Sequence, residues 1–278
     1  MDLTITATYC LCEEFSKAMG LCDDSQAQMT TAEVMCLALV AAAFFGGNIE
    51  KTRLFLHEYG YMKSMLSKSR LNRRLHAIKP DLWQALFGVL AEIFKERNDD
   101  DGAYVVDSLP VAVCDNIRIR RCPLYPLEAE GESFRGYIPS KRRYFYGLRV
   151  HLVVSGKGEP VEFSLTAGSE ADVKVFKDLS LDLPEGSTIH ADKGYTDYDH
   201  EEFLFEELDL HLKAQRKKNS KRPMPMWEEF LGKPIRQYIE TVFAKLSELF
   251  ARKIHAVTPM GFELKIVWFL LAFSIQCL

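Results

Sequence analysis

Three acidic side chains, far apart in the sequence, have the residue type and surroundings of a metal-binding centre. Asp107 and Asp192 each end a predicted β-strand. Ligands of open α/β sheets collect at the carboxyl ends of strands, so acids that leave two adjacent strand ends can converge on one point. Glu240 adjoins Ile239 at the margin of the apolar stripe of a predicted helix, and we therefore expect its carboxylate to point toward the sheet.

Three carboxylates in one cleft repel one another and resist desolvation, so they require cations. Mg²⁺ or Mn²⁺ fits them best, because both are hard ions that prefer oxygen ligands. Two such ions ~3.5–4 Å apart would form a two-metal site for phosphodiester chemistry. Each acid alone also has an ordinary structural explanation: a turn cap for Asp107, a turn into the next helix for Asp192, and an ion pair with Arg236 for Glu240.

The N-terminal part of the chain, residues 1–97, is predicted to be a small all-α domain. Thr30 and Glu33 have the spacing of a capping box before an apolar run that stops at a pair of glycines. Further helices are predicted after Asn48 and from Pro80 onward. This succession of short helices fits a helix-turn-helix and, equally, a plain helical bundle.

A second domain of α/β type is predicted for residues 98–278. It follows a polar, turn-forming segment at 98–102, after which the periodicity of apolar residues changes. Strands are predicted at 103–107, 146–154, 160–165 and 188–192, with a hairpin turn at 155–159 and helices after residue 171. This order predicts a mixed sheet flanked by helices, with acids at the ends of its strands.

The composition is that of an ordinary globular chain of about two domains. Of the 278 residues, 47% are hydrophobic and 27% are charged, which excludes disordered, fibrous and repeat proteins. The seven cysteines are an odd number without a Cys-x-x-Cys pair, so we expect reduced thiols in a cytoplasm. The apolar run 266–278 is shorter than the ~18 residues that cross a bilayer, so no membrane partner is expected and a buried helix is predicted there.

Basic residues are segregated along a chain whose net charge is −4. Residues 61–78, 133–157 and 211–222 contain no acid and carry five, six and six Lys or Arg. A predicted basic loop at about 115–145 adds aromatic residues, a mixture that can bind a nucleic-acid backbone and stack on bases. Such faces can meet a polyanion, although solvated surface charge and an ordinary long loop explain them as well.

Four ordered strings carry a resemblance to a known family: VVDSLPV, FYGLRVHLVVSGKGEPVEFSLTAGSEADV, HADKGYTD and RQYIETVFAKLSELF. Together they resemble the transposases of bacterial insertion sequences, and more narrowly the DDE transposases with a retroviral-integrase-like (RNase H-like) catalytic fold. The similarity runs from about residue 100 to the C-terminus, and it is weaker over the helical N-terminal part. It implies that residues 98–278 form an RNase H-like DDE catalytic domain.

The resemblance also implies site residues. The DDE triad, catalytic and metal-binding at once, falls on Asp107, Asp192 and Glu240. Two Mg²⁺ or Mn²⁺ ions per active site are implied with it. Arg236 matches an arginine four residues before the glutamate in many relatives. Some relatives have a lysine seven residues after the glutamate, where this chain has Ser247, so that DNA contact is not transferred.

Further basic residues are candidate DNA contacts, because cations in loops and on helix faces neutralise phosphates. They are Arg70, Arg73, Arg74, Arg142, Arg143, Lys193, Lys213, Arg216, Lys217, Lys218 and Arg236. The acid-free stretch 213–222 is the strongest candidate for a phosphate contact. The helices of 1–97 are the candidates for recognising terminal inverted repeats.

The resemblance therefore implies a transposase that cuts the ends of an insertion sequence and joins them to target DNA. Because two ends are processed together, a homodimer or larger assembly on DNA is expected, in the bacterial cytoplasm or at the nucleoid. Two alternatives are an RNase H-like nuclease without strand transfer and a non-catalytic, domesticated DNA-binding derivative. The presence of all three acids argues against the second alternative.

Overall fold

The computed structural model describes residues 1–98, 102–130, 132–217, 220–251 and 253–278. Lys218 and the acidic turn 99–101 lie outside the described residues. The chain divides into two compact units, one of residues 1–87 with 246–278 and one of residues 88–245. This division differs from the predicted boundary between residues 97 and 98, because the C-terminal helix packs with the N-terminal helices.

The described elements follow one another in this order. They are α1 (Asp2–Ala18), α2 (Thr31–Phe45), α3 (Ile49–Glu58), α4 (Lys68–Ala77), α5 (Pro80–Arg97), β1 (Ala103–Cys114), α6 (Leu127–Glu130), β2 (Arg135–Ile138), β3 (Arg143–Ser155), β4 (Pro160–Ala167), α7 (Asp172–Asp178), β5 (Thr188–Ala191), α8 (Tyr198–Leu208), β6 (His211–Ala214), α9 (Met226–Leu249) and α10 (Pro259–Cys277). Short 3₁₀ turns lie between some of them, including Lys193–Tyr195 after β5.

The helical unit is built around α2, which contacts α1, α3, α4 and α10. The predicted capping box is confirmed, because the Glu33 amide donates to the Thr30 hydroxyl at 3.1 Å and the Thr30 amide donates to the Glu33 carboxylate at 2.8 Å. Gly46 ends the helix in the left-handed region at φ 56°. A helix that is apolar on all sides must be covered on all sides, and α2 is buried along most of its length.

The C-terminal helix α10 is longer than its apolar run indicates. It spans 19 residues, and by length and composition it could cross a membrane. Two thirds of its apolar window is buried within the protein, and it packs against α2. The predicted buried helix is therefore present, and Phe262, Phe269 and Leu270 supply part of the core of the helical unit.

The second unit contains a six-stranded mixed sheet in the order β2-β3-β1-β5-β6, with β4 paired to β3. β3 is antiparallel to β1, β2 and β4, whereas β5 is parallel to both β1 and β6. Central strands that are covered on both faces are rich in buried valine, leucine and isoleucine, as in residues 105–106, 152–154 and 189. The predicted α/β class and mixed sheet are confirmed.

Two details of the sheet correct the sequence-based picture. β1 continues to Cys114, so Asp107 lies inside a strand instead of ending one. Pro110 is compatible with this longer strand because β1 pairs with β5 only through Val106, and on that side a proline costs no ladder hydrogen bond. The predicted basic loop at about 115–145 contains β2, which pairs with the start of β3.

Candidate active site

Asp107 lies where the parallel pairing of β1 with β5 stops. The last paired residues are Val106 of β1 and Ala191 of β5, so Asp107 and Asp192 are the next residue of each strand. Neighbouring strands are about 4.8 Å apart, and residues in parallel register point to the same face. The backbone therefore places the two aspartates side by side, with both side chains half-buried.

Asp192 also caps the 3₁₀ turn that follows β5. Its Oδ1 accepts a hydrogen bond from the Gly194 amide at 2.6 Å. In β1 the Ser108 amide donates similarly to Oδ1 of Asp107 at 2.7 Å. Both carboxylates are thus oriented by the backbone of the next residues, which limits the rotamers that they can adopt.

Tyr195 is a buried phenol close to three acidic residues at this end of the sheet. Its side chain is 1% exposed, and its ring lies in the turn after Asp192. Burial raises the pKa of the phenol well above its usual value, and the charges of Asp172, Asp107 and Asp192 add to the shift. Three carboxylates therefore act on one buried hydroxyl.

Glu240 is not gathered with these aspartates. α9 covers the sheet face to which Asp107 points, because Gly232 lies over His190, the register partner of Val105. Farther along the helix, the Tyr238 hydroxyl donates to the Lys157 carbonyl at 2.5 Å, at the hairpin between β3 and β4. That hairpin lies beside the start of β1, on the far side from Cys114.

The Glu240 side chain is exposed and does not point toward the sheet, contrary to the expectation from its position beside Ile239. Ile239, Val242, Phe243 and Leu246 are the buried residues of this part of α9. With 3.6 residues per turn, Glu240 lies about 100° from the centre of that stripe, and its side chain is exposed. Within the described residues, no group of three or more His, Cys, Asp or Glu is arranged to hold a metal ion.

The structure instead brings Asp172 to the two aspartates, a residue that sequence reasoning treated only as a helix start. Arg149 of β3 donates to Asp172 at 3.0 Å, and His151 Nδ1 lies 3.7 Å from the same oxygen. Burial lowers the pKa of His151 to about 4; Arg149 contributes in the same direction and Asp172 opposes it. The available signal was an arginine and a histidine inside an otherwise apolar strand.

A family model described as a transposase DDE domain matches residues 97–255, more than half of the chain. The chain belongs to the transposase DDE-domain family. The mixed sheet with its flanking helices is that of an RNase H-like DDE domain. Neither the search of curated proteins nor that of solved structures finds a match.

The DDE family uses divalent metals, and Asp107 and Asp192 fit one such ion. They offer carboxylate oxygens, which Mg²⁺ and Mn²⁺ prefer, at neighbouring and half-buried positions. Glu240 does not join these two aspartates in the described arrangement. The three-carboxylate cluster expected from the sequence is therefore not formed there.

In the folded transposase chain, acidic side chains engage some of the basic residues that the sequence suggested as DNA contacts. Two of the candidate DNA contacts are held by acids: Arg74 by Asp23 at 2.8 Å, and Arg216 by Glu201 at 2.6 Å. Arg222 pairs likewise with Glu202. The stretch 211–222 is acid-free in sequence but lies beside the acidic helix α8.

The other candidate contacts differ in exposure. Six are exposed and have no ion pair within the described part of the chain: Arg70, Arg73, Arg142, Arg143, Lys193 and Lys217. Lys213 is half-buried on β6. Lys218 lies outside the described residues, and the side chain of Arg236 does as well.

Proposed function

We propose that this chain is the transposase of a bacterial insertion sequence, which cuts DNA at the element ends and transfers the freed strands into target DNA. Membership of the DDE family supports transposition in general. The proposed active site rests on one observation, the side-by-side placement of Asp107 and Asp192 at the end of the β1–β5 pairing.

In this proposal Asp107 and Asp192 bind Mg²⁺ or Mn²⁺ through their carboxylates. Bound there, divalent ions supply charge stabilisation and activation of the attacking oxygen in phosphodiester chemistry. The contribution of the chain is positioning. The amides of Ser108 and Gly194 each donate to one of the two carboxylates and so restrict its orientation.

Glu240 is the proposed third carboxylate, which binds a second ion. For Glu240 to join the aspartates, α9 must rotate or shift over the sheet, because its buried stripe now turns the glutamate about 100° away. We assign this movement to the DNA-bound protein, in a homodimer or larger assembly that processes two ends together.

The exposed arginines of α4 and the exposed cations near the site are the proposed DNA contacts. Arg70 and Arg73 lie on α4, and Lys193 directly follows Asp192. Cations at these places neutralise phosphates and position the duplex without reading its sequence. The proposed location is the bacterial cytoplasm, at the nucleoid when DNA is bound.

The substitution Asp192→Asn tests the proposed function. Asparagine keeps the side-chain oxygen that caps the turn, so the fold is retained while one negative charge is lost. We expect cleavage of an element end to fall by at least ~10²-fold with binding of that end largely unchanged. Asp199→Asn, an exposed acid on α8, is the matched control. Undiminished cleavage by the Asp192 variant would refute the site.

Strand transfer is tested separately from cleavage. A pre-cut end and a target plasmid are supplied with Mn²⁺, and joined products are measured. We expect joining by the parent protein and none by the Asp192→Asn variant. A protein that cleaves ends but never joins them is a nuclease of the same fold.

A further inference from the structure

Arg149 of β3 contacts the strand that carries Asp107. Its Nη1 donates to the hydroxyl of Ser108 at 3.2 Å, and Ser108 directly follows Asp107. The same nitrogen donates to Oδ1 and Oδ2 of Asp172, at 3.0 and 3.3 Å. Nη2 donates to the Gly168 carbonyl at 3.4 Å. One guanidinium therefore connects β1, β3 and the first residue of α7.

Asp172 lies against the turn that carries Asp192. A Cβ added to Gly194 would stand 2.9 Å from Oδ1 of Asp192 and 3.4 Å from Oδ2 of Asp172. The turn therefore lies within van der Waals distance of the Asp172 carboxylate. One turn farther along α7, the Phe176 ring packs edge-on against Tyr195 with centroids 5.6 Å apart.

The pair is largely withdrawn from water. The side chains of Arg149 and Asp172 are 15% and 23% exposed, and His151 beside them is fully buried. Removing one partner of such a pair leaves the other charge poorly solvated and unpaired. The guanidinium also offsets the repulsion between the carboxylates of Asp172 and Asp192.

We propose that the Arg149–Asp172 pair is the positioning element of the cation site, holding Asp107 and Asp192 at the spacing at which both bind one divalent ion. The inference rests on the proposed function, in which those two aspartates are the ligands. In this proposal Asp172 acts through its ion pair with Arg149 and is not one of the ligands. Partners outside the ligand set orient the ligands, and their removal lowers metal affinity by about 10–100-fold.

The test measures Mn²⁺ binding to the full chain by titration calorimetry, without DNA. We expect Asp172→Asn and Arg149→Gln each to weaken Mn²⁺ binding by about 10-fold or more. Arg149→Lys restores part of the affinity, because it keeps the charge but not the forked geometry. Asp178→Asn, an exposed acid at the other end of α7, is the matched control and binds as the parent does.

Hydrogen exchange of the metal-free protein gives a second measurement that does not depend on the ion. The amide of Gly194, protected by Asp192, reports on the turn. We expect faster exchange in residues 192–195 in the Asp172 and Arg149 variants, with urea unfolding showing that each variant is folded. The Asp178 variant keeps the parent exchange rate.

The outcomes separate the inference from the proposed function. Parent-like Mn²⁺ affinity and exchange in Asp172→Asn overturn the inference and leave the proposed function standing. If Asp172→Asn loses Mn²⁺ binding as completely as Asp192→Asn does, and its hydrogen exchange is unchanged, then Asp172 is a ligand. That result also overturns the inference. If the parent chain and Asp192→Asn show the same absence of Mn²⁺ binding, the proposed function fails, and the inference fails with it.

Discussion

His151 is a buried base beside the candidate site, and its environment keeps it neutral. Its side chain is fully buried, Nε2 lies 3.0 Å from the Thr166 hydroxyl, and Nδ1 faces Asp172. Burial is the largest cause that lowers its pKa to about 4, and the adjacent Arg149 guanidinium adds to it. A neutral imidazole at this place avoids a second positive charge next to Arg149.

The depressed pKa of His151 predicts a pH dependence of stability. Between about 6.5 and about 4 the unfolded chain binds a proton that the folded chain does not, so stability is full above pH 6.5 and is lost as the pH falls toward 4. The expected loss is on the order of 2 kcal/mol. Urea unfolding at pH 7.5 and 4.5 measures it.

The control for this prediction is His151→Gln, which has no titrating group. The buried carboxylates of the chain contribute to acid unfolding in both proteins, so the difference between the two proteins isolates His151. Equal loss of unfolding free energy in parent and variant over that interval would contradict the assignment.

At the scale of elements, the turn between β3 and β4 positions α9, the helix that carries Glu240. Gly158 in that turn has φ +84°, and an added Cβ would stand 2.6 Å from Val242 Cγ2 and 3.1 Å from the Tyr238 hydroxyl. The helix can thus lie against the hairpin only because residue 158 has no side chain.

Gly158→Ala is expected to destabilise the protein more than Gly186→Ala. Both glycines have positive φ, at +84° and +77°, so each alanine carries a backbone cost of about 1–2 kcal/mol. Nothing lies within 4 Å of a Cβ added at Gly186, whereas at Gly158 the contact of the new Cβ with α9 adds about 1–3 kcal/mol. Urea unfolding of the two variants measures the difference, and equal losses would show that α9 does not press on the turn.

The proposed movement of α9 can be tested by substituting Glu240. If the DNA-bound helix brings Glu240 to the aspartates, Glu240→Gln lowers cleavage by at least ~10²-fold even though the glutamate is exposed without DNA. Glu248→Gln, on the exposed side of the same helix, is the matched control and cleaves as the parent does. Parent-like cleavage by the Glu240 variant removes this residue from the site.

At the scale of the whole molecule, ion pairing decides which cations are available to a polyanion. Arg73 and Arg74 are neighbours on α4, but only Arg74 is engaged, by Asp23 and by the Met29 carbonyl. Arg73 is exposed and has no ion pair in the part of the chain that the structure describes.

Substitutions of these two arginines are therefore expected to have different effects. Arg73→Gln is expected to lower the slope of log affinity against log salt by about 1 in binding to a DNA duplex, because one phosphate contact is lost. Arg74→Gln leaves that slope unchanged and lowers the unfolding free energy by up to about 1 kcal/mol. Anisotropy titrations at several salt concentrations and urea unfolding separate them; a slope that falls only with Arg74→Gln contradicts this prediction.

Local sequence patterns predicted the elements that carry the proposed site residues. The capping box of Thr30 and Glu33, the hairpin at 155–159 and the apolar runs before Asp107 and Asp192 depend on residues close in sequence, so periodicity and turn chemistry predicted them. The parallel register that sets the aspartates side by side follows from those two strands being neighbours in the sheet.

Only the tertiary structure decided the remaining features, because each depends on contacts between distant segments. The pairing of Arg216 with Glu201 joins a basic stretch to an acidic helix. Packing of α9 on the hairpin turned Glu240 outward, although its place beside Ile239 suggested otherwise. Arg149 and Asp172 are 23 residues apart and meet only because β3 and α7 lie together at the edge of the site. Sequence periodicity identifies which face of an element is buried, whereas the partner that covers that face is chosen by the fold.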